Sequence, residues 1–256
     1  MKLQPITPEQ FSNLRWLRYT NYNFASKDAV APILVHELTK ALIHLPLCFV
    51  STGNSFSLVA IQGLQPGKNL CVAPDGSWLA GYIPATYRSY PFAVANTPDG
   101  ESLLCFDEDS NLLADTGGEL FYEDNGELAQ GIKNVISFFA EVAQSRNLTE
   151  QICAVLQKYE LIQPWRVNIQ YQTGEQAIDG LYKVDEATFN DLSAEAFDEL
   201  RKLGAVAIIY CQLLSMQNLQ RLADLAQVHI EVSNNNPNLD FLKADSGNLD
   251  LSILDK

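Results

Sequence analysis

The spacing of apolar and polar residues changes about halfway along the chain. In the first half, short apolar runs alternate with clusters of Gly, Pro, Asn, Asp and Ser, which is typical of β-hairpins. Three pairs of runs follow this pattern, at residues 47–50 and 56–61, 70–73 and 78–80, and 92–95 and 102–106. A short helix is expected over residues 33–42, directly after Pro32. The first half is therefore predicted to form mainly antiparallel sheet.

The second half has apolar residues at helical spacing. One series predicts a long amphipathic helix: Leu128, Ile132, Val135, Ile136, Phe139 and Val142. Thr149 is expected to cap a separate helix, so that residues 127–160 hold two helices. Alternating apolar residues over 165–171 predict a half-buried strand, which turns towards a partner near residues 178–184.

Three more helix starts are expected beyond this strand. Asp185, Ser193 and Ser215 are capping residues, and apolar residues flank each of them. Gly204 is expected to end the middle helix. The apolar run 205–210 that follows is interpreted as a short, central strand.

These elements predict an α+β fold, with an antiparallel-sheet-rich N-terminal half and a helix-rich C-terminal half packed against it. We expect a single α+β domain over residues 1–230. Beyond it the chain becomes polar around Asn234, Asn235, Asn236 and Pro237, so residues 231–256 are expected to form a loose C-terminal tail.

Charge narrows the classes of partner. The chain has 256 residues, of which 47% are apolar, and a formal net charge of −14. Nucleic acids and anionic membranes are bound mainly through Lys and Arg, so neither is an expected partner. Every apolar run is interrupted well before the roughly 18 residues of a membrane span. The N-terminal residues contain no apolar signal segment, which favours a cytoplasmic protein.

Cysteine and histidine spacing gives no metal or cofactor site. The five cysteines are odd in number and irregularly spaced, which favours reduced thiols: Cys48, Cys71, Cys105, Cys153 and Cys211. His36, His44 and His229 do not have the spacing of metal ligands. The triplet at residues 115–117 is the Asp-Thr-Gly of aspartic proteases, but their mechanism needs two carboxylates and no second triplet occurs in the sequence. A homodimer could supply the second carboxylate, and the triplet is also ordinary turn chemistry. We assign no catalytic residue, metal or cofactor, and whether the protein is an enzyme stays open.

Residues 76–92, which we call the aromatic block, differ from the acidic remainder of the chain. The block contains no acidic residue, and Pro84 favours a short helix that ends before Pro91. Trp, Tyr and Arg are the usual anchors of binding interfaces. The predicted binding residues are Trp78, Tyr82, Arg88, Tyr90 and Phe92.

Two interpretations of the aromatic block compete. Its rings either belong to the core or form a recognition surface for a protein or a small peptide-like ligand; the oligomeric state stays open. Arg88 is expected to meet a carboxylate or backbone carbonyls and to lie against a ring of the block, because an unpaired buried charge is costly.

The block also carries a resemblance. Residues 78–85, then Arg88 and residues 90–92, resemble the signature of the SapC family of bacterial proteins. Further along, residues 180–186 and the segment from Leu192 to Ser215 resemble later blocks of the same family, in the same order. Ser89 and the pair Cys211-Gln212 depart from the pattern, where a second Arg and an Ala-His pair are common. The absent His puts any catalytic use of that position in doubt.

The resemblance implies a family and very little chemistry. The family takes its name from a protein linked to a paracrystalline surface layer, and some members sit in gene neighbourhoods with TonB-dependent receptors. Our main hypothesis is a cytoplasmic binding or accessory module that uses the aromatic block. The alternatives are a surface-layer component, as the family name implies, and an enzyme acting on a peptide or amino-acid derivative.

Overall fold

The structure is a computed structural model that describes residues 2–97, 99–171 and 174–235, without the side chains of residues 169–176 and 230–235. The strands are β1 (Leu3–Pro5), β2 (Arg15–Trp16), β3 (Val30–Pro32), β4 (Leu47–Thr52), β5 (Ser55–Ile61), β6 (Phe92–Asn96), β7 (Ser102–Asp107), β8 (Leu113–Ala114), β9 (Glu119–Leu120), β10 (Ile162–Pro164), β11 (Val167–Tyr171), β12 (Gly174–Ile178) and β13 (Leu181–Val184).

The helices are α1 (Pro8–Phe11), α2 (Leu38–Ala41), α3 (Ala85–Arg88), α4 (Gln130–Lys158), α5 (Glu186–Asn190), α6 (Ala194–Leu203), α7 (Ala205–Ser215) and α8 (Leu219–Asn235). Short 3₁₀ turns occupy Asn23–Ala25, Val35–Glu37, Glu108–Ser110 and Met216–Asn218. Among the described residues, no helix combines the length and the apolar character needed to cross a bilayer.

The chain forms two compact units. Unit 1 contains the described residues of Met1–Thr20 and Ala85–Gln144, and unit 2 contains Asn21–Pro84 and the described residues from Ser145 onward. Two of the boundaries between the units lie inside a single feature of the chain. One divides the aromatic block between Pro84 and Ala85, and the other lies within α4. The expected single domain over residues 1–230 remains a prediction.

Unit 2 is built on an antiparallel sheet with the strand order β10-β13-β4-β5-β3. Both faces of its central strands are covered. Leu47 and Phe49 of β4 pack in a cluster with residues of α4 and α7, while Cys48 and Val50 pack on the other face with residues of α8. Burial on both faces explains why these strands are continuous apolar runs in the sequence.

Unit 1 contains two small antiparallel sheets, with the orders β1-β7-β6 and β8-β2-β9. Its core is aromatic and includes Phe11, Trp16, Phe92, Phe106 and Phe121. The rings of Phe106 and Phe121 lie 5.5 Å apart, nearly edge to face, which is a favoured arrangement of aromatic pairs.

The predicted fold class is confirmed: sheets dominate the N-terminal half and helices most of the C-terminal half. The outer hairpins of the first half form as expected, with β4 paired to β5 and β6 paired to β7. At the middle turn the pairing is reduced to one bridge, between Val72 and Trp78. The prediction that a helix follows Pro32 directly is wrong. Pro32 ends strand β3, and the helical segment starts only at Val35.

The prediction of two helices over residues 127–160 is wrong, since α4 is one continuous helix. Thr149 lies inside it and does not cap a new one. Its Oγ1 donates to the carbonyl of Ser145, 2.7 Å away, and accepts from the N–H of Val35 at 2.9 Å. No Gly or Pro interrupts the sequence after Gly131, so nothing breaks the helix there.

The predicted strand at residues 205–210 is also wrong, since these residues begin helix α7. Gly204 has a φ of 81° and ends α6, as predicted, but α7 starts at the next residue. The buried positions of α7 include Gln212 and Ser215. Because these two are polar, the apolar residues alone do not show the helical period.

Two of the three predicted caps are confirmed. The Asp185 carboxylate accepts from the N–H of Ala187 at the start of α5, and the Ser193 hydroxyl accepts from the N–H of Ala196 in α6. Ser215 instead ends α7, where its hydroxyl accepts from the N–H of Leu47 at 2.9 Å. Helix α8 reaches Asn235, and the rest of the predicted tail lies outside the described residues.

Candidate functional site

The unit boundary within the aromatic block separates the predicted binding residues into two sets. Trp78 and Tyr82 belong to unit 2, whereas Arg88, Tyr90 and Phe92 belong to unit 1. That all five form one site remains a prediction.

In unit 2, the polar atoms of Trp78 and Tyr82 are engaged inside the protein. The indole Nε1–H of Trp78 donates to the carbonyl oxygen of Tyr82 at 3.0 Å. The hydroxyl of Tyr82 donates to Oε1 of Glu37 at 2.8 Å. Both side chains are half-buried, and the ring of Trp78 lies 5.2 Å from that of Tyr22. These bonds hold two partly exposed rings in fixed orientations.

Glu37 is the residue of this cluster that the sequence analysis missed. Only 1% of its surface is exposed, and its Oε2 accepts from the backbone N–H of Leu34 at 3.0 Å. The carboxylate thus stabilises the start of the 3₁₀ turn Val35–Glu37 and also orients Tyr82. The usual capping box has Ser or Thr at the N-cap position and Glu or Gln three residues later. Here Leu34 occupies the N-cap position, so the sequence does not show the motif that would have identified Glu37.

Gly81 allows a close approach between the aromatic block and His44. A Cβ atom added to Gly81 would lie 2.3 Å from Nδ1 of His44, well inside van der Waals contact. His44 is half-buried and follows α2 in the chain. The position between Ala80 and Tyr82 therefore requires glycine for space, since a larger residue would displace the imidazole.

His36 and Ser145 form a hydroxyl–imidazole pair in unit 2. Nδ1 of His36 lies 2.6 Å from Oγ of Ser145, which is buried, while His36 itself is exposed. The backbone N–H of His36 also points to the same oxygen at 3.5 Å, and Val35 donates to Thr149. Together Ser145 and Thr149 satisfy N–H groups at the start of a helical turn, which accounts for both hydroxyls structurally.

In unit 1, Arg88 is exposed and its guanidinium carbon lies 5.5 Å from the ring centre of Phe138. Phe138 belongs to α4 and not to the aromatic block. The guanidinium therefore covers a ring that the sequence analysis did not anticipate. An exposed Arg over an aromatic face gains a modest cation–π attraction.

Tyr90 and Phe92 have different surroundings within unit 1. The ring of Tyr90 meets Tyr19 edge to face at 6.1 Å. Burial raises the pKa of Tyr90 above its ordinary value, and the charges of Asp107 and Asp109 raise it further. Phe92 is 5% exposed and lies edge to face with Trp16 at 4.9 Å. Phe92 is thus a core residue, as the competing interpretation of the block expected.

Gln212 stands where a His is common in the pattern that the sequence resembles, and the structure gives it a structural role. The side chain is completely buried. Its Oε1 accepts from the N–H of Val184 at 3.0 Å and its Nε2 donates to the carbonyl of Leu47 at 3.1 Å, so it links α7 to β13 and β4. A neutral His also offers one donor and one acceptor. The departure therefore preserves the hydrogen-bonding capacity of this position.

The five cysteines are free thiols, and four of them are buried. Burial raises the pKa of the Cys71 and Cys153 thiols to about 12. Burial likewise raises the pKa of Cys48, Cys105 and Cys211. Because the thiolate is the nucleophilic form, burial disfavours a nucleophilic role for these side chains.

A family comparison agrees with the sequence motifs. The SapC family model matches residues 6–222, which is most of the chain. Neither the curated proteins nor the solved structures contain a match to this chain.

Proposed function

We propose that this chain, which belongs to the SapC family, is a cytoplasmic binding or accessory module that recognises a protein or a small peptide-like ligand. The recognition surface of the proposal is the part of the aromatic block that belongs to unit 2, with Trp78 and Tyr82 as its anchors. Arg88 and Tyr90 belong to unit 1 and stay predicted binding residues.

One observation carries the proposal: the rings of Trp78 and Tyr22 are half-buried, while the polar atoms of Trp78 and Tyr82 are engaged internally. Large, rigid aromatic surfaces lose little entropy on binding, which is why they anchor interfaces. Leu79, between the two anchors, is 40% exposed and extends this apolar surface.

The internal hydrogen bonds also favour binding over catalysis as the role of these residues. A general acid or base has to exchange a proton with a substrate. The Tyr82 hydroxyl is committed to the buried Glu37 carboxylate, and the Trp78 indole to a backbone carbonyl. Free thiols in every cysteine position are the usual state in a reducing compartment and support the cytoplasmic part of the proposal.

The experiment uses the Trp78 indole as its reporter. A ¹⁵N-labelled sample of the full chain is titrated with a library of tripeptides, and the indole N–H resonances of Trp16, Trp78 and Trp165 are followed by NMR. A Trp78→Phe variant assigns the reporter signal. We expect a subset of tripeptides to shift the Trp78 resonance in a saturable way while the Trp165 resonance stays unchanged.

Two exposed leucines provide the matched variants. Leu79→Ser should weaken the binding of those tripeptides by about tenfold or more, as expected for an interface anchor. Leu148→Ser removes a leucine that is similarly exposed at 37% and should leave binding unchanged. If no tripeptide shifts Trp78 selectively, or both variants weaken binding equally, the peptide-recognition role is wrong. Recovery of the native protein in a washed cell-surface fraction would contradict the cytoplasmic assignment.

A further inference from the structure

A second exposed apolar surface lies in unit 2, on helices α6 and α7, and the proposed function does not use it. Its exposed members are Phe197, Tyr210 and Leu214, with 40%, 49% and 59% of their surfaces exposed. Beneath two of them lies Phe189, which is 4% exposed. The Phe189 ring is 5.9 Å from that of Phe197 and 5.9 Å from that of Tyr210. We call these four residues the α7 face.

The geometry of α7 keeps this surface outward. Ile208, Ile209 and Gln212 are completely buried on one side of the helix. Tyr210 and Leu214 are four residues apart, so they lie together on another side. Leu214 is more exposed than any other large hydrophobic residue in the described part of the chain. Contiguous exposed apolar residues of this kind mark interaction sites more often than scattered single ones do.

The segment 185–202, which carries Phe189 and Phe197 of the α7 face, is acidic, and we call it the acidic border. Residues 185–202 contain six acidic residues (Asp185, Glu186, Asp191, Glu195, Asp198 and Glu199) and two basic ones. Both basic residues are already engaged, because Arg201 and Lys202 each lie 2.7 Å from the carboxylate of Asp198. The surplus negative charge of the segment is therefore not neutralised within it.

Three carboxylates of the acidic border are accessible to a partner. Glu186, Asp191 and Glu195 are exposed, and none of them forms an ion pair with a residue that the structure describes. Glu186 and Phe189 are three residues apart on α5, so they are neighbours on its surface. Asp191 and Glu195 flank the start of α6, the helix that carries Phe197.

We propose that the α7 face docks a basic, amphipathic segment of another protein. An apolar side chain of the partner packs on Tyr210 and Leu214, and its Lys or Arg residues approach the acidic border. Charge complementarity of this kind steers association and sets specificity. A second copy of this chain fits less well, because two identical acidic borders repel each other and each chain carries a net charge of −14.

The test uses a labelled amphipathic peptide composed of Leu and Lys at helical spacing, with fluorescence anisotropy as the readout on the full chain. A peptide with Glu in place of every Lys is the charge control, and a scrambled Leu–Lys peptide is the pattern control. We expect only the patterned Leu–Lys peptide to bind. The double variant Tyr210→Ser/Leu214→Ser should weaken that binding by about tenfold or more.

Matched variants separate this surface from general attraction to an acidic protein. Val228→Ser removes an apolar side chain of α8 that is 46% exposed and should leave the Kd unchanged. The triple variant Glu186→Gln/Asp191→Asn/Glu195→Gln should weaken binding and make it less dependent on salt. Circular dichroism of each variant confirms that the fold is retained.

Three outcomes would overturn the proposal. The first is that the peptide binds equally to the wild type and to the Tyr210→Ser/Leu214→Ser variant. The second is that the Glu peptide binds as tightly as the Lys peptide. The third is a dimer in sedimentation equilibrium that Leu214→Ser dissociates, which would assign the face to a second copy of the chain. Each outcome leaves the tripeptide experiment at Trp78 unaffected, because a different surface is tested.

Discussion

The two ends of the aromatic block place aromatic residues in contrasting surroundings. At one end, Trp78 and Tyr82 are half-buried and their polar atoms are held by a backbone carbonyl and by Glu37. At the other end, Phe92 lies among other rings and is 5% exposed. The aromatic residues of the block therefore lie partly exposed in unit 2, whereas Phe92 packs in the core of unit 1. The core interpretation of the block holds for Phe92, whereas the recognition surface stays a proposal.

This contrast predicts different costs of mutation along one short stretch of chain. Core aromatics contribute through buried area and packing. The Trp78–Tyr82 end contributes through hydrogen bonds to a buried carboxylate and through the space left by Gly81. Arg88, between the two ends, is exposed and contributes least. The four substitutions below follow this order of expected effect on the free energy of unfolding.

Phe92→Ala should have the largest effect. Removing a buried ring that contacts Trp16 and Phe106 should lower the free energy of unfolding by about 3–5 kcal/mol. Urea denaturation followed by circular dichroism measures the change. Val94→Ala, on the same strand but 41% exposed, is the control and should cost less than about 0.5 kcal/mol. Equal effects of the two substitutions would contradict a core role for Phe92.

Tyr82→Phe should come second. It keeps the ring but removes the hydroxyl that donates to the 1%-exposed Glu37 at 2.8 Å. Loss of a hydrogen bond to a buried charged group costs about 1.5–3 kcal/mol. Tyr210→Phe is the control, because that ring is 49% exposed. In a double-mutant cycle with Glu37→Gln, the two changes should not be additive; additivity would show that the pair does not interact.

Gly81→Ala should come third, with a cost of about 1–2 kcal/mol from overpacking against His44. The cost stays moderate because the half-buried imidazole can rotate away. The second substitution His44→Ala should remove most of the penalty, since it clears the atoms that the new methyl group meets at 2.3 Å. A penalty that persists in Gly81→Ala/His44→Ala would place the strain in the backbone and not in the imidazole contact.

Much of the fold could be predicted from local signals in the sequence. Turn residues between apolar runs predicted the β4–β5 and β6–β7 hairpins, and capping residues predicted the starts of α5 and α6. These features depend on neighbours in the chain, so the sequence shows them directly.

The wrong predictions for α4 and α7 have a common cause. In both helices, contacts with residues far away in the sequence determine the local structure. Thr149 resembles a cap but bonds within α4 and with Val35, more than a hundred residues away. Gln212 and Ser215 are polar at buried positions of α7 because they bond to Leu47 of β4. Long-range polar contacts of this kind leave no periodic signal.

The candidate site was predicted only in part for the same reason. Trp78 and Tyr82 were identifiable as unusual residues, but Glu37, which orients Tyr82, is 45 positions away. The unit boundary inside the block also has no signal in local composition. The residue types alone thus indicate where aromatic anchors occur. Their hydrogen-bond partners can be identified only from the three-dimensional structure.

Arg88→Ala should have the smallest of the four effects. Because Arg88 is exposed, its contact with Phe138 at 5.5 Å should contribute about 0.5–1 kcal/mol. Arg18, whose guanidinium carbon lies 5.8 Å from the ring centre of Trp16, also pairs with Glu119 at 2.7 Å. Arg18→Ala should therefore cost at least as much as Arg88→Ala.

A double-mutant cycle of Arg88→Ala with Phe138→Leu isolates the cation–π attraction from other contacts of Arg88. We expect a coupling energy of about 0.5 kcal/mol, which decreases little at high salt because the ring is uncharged. A cost of about 3 kcal/mol or more for Arg88→Ala alone would instead indicate a buried ion pair. That result would make Arg88 a structural residue and contradict its prediction as a binding residue.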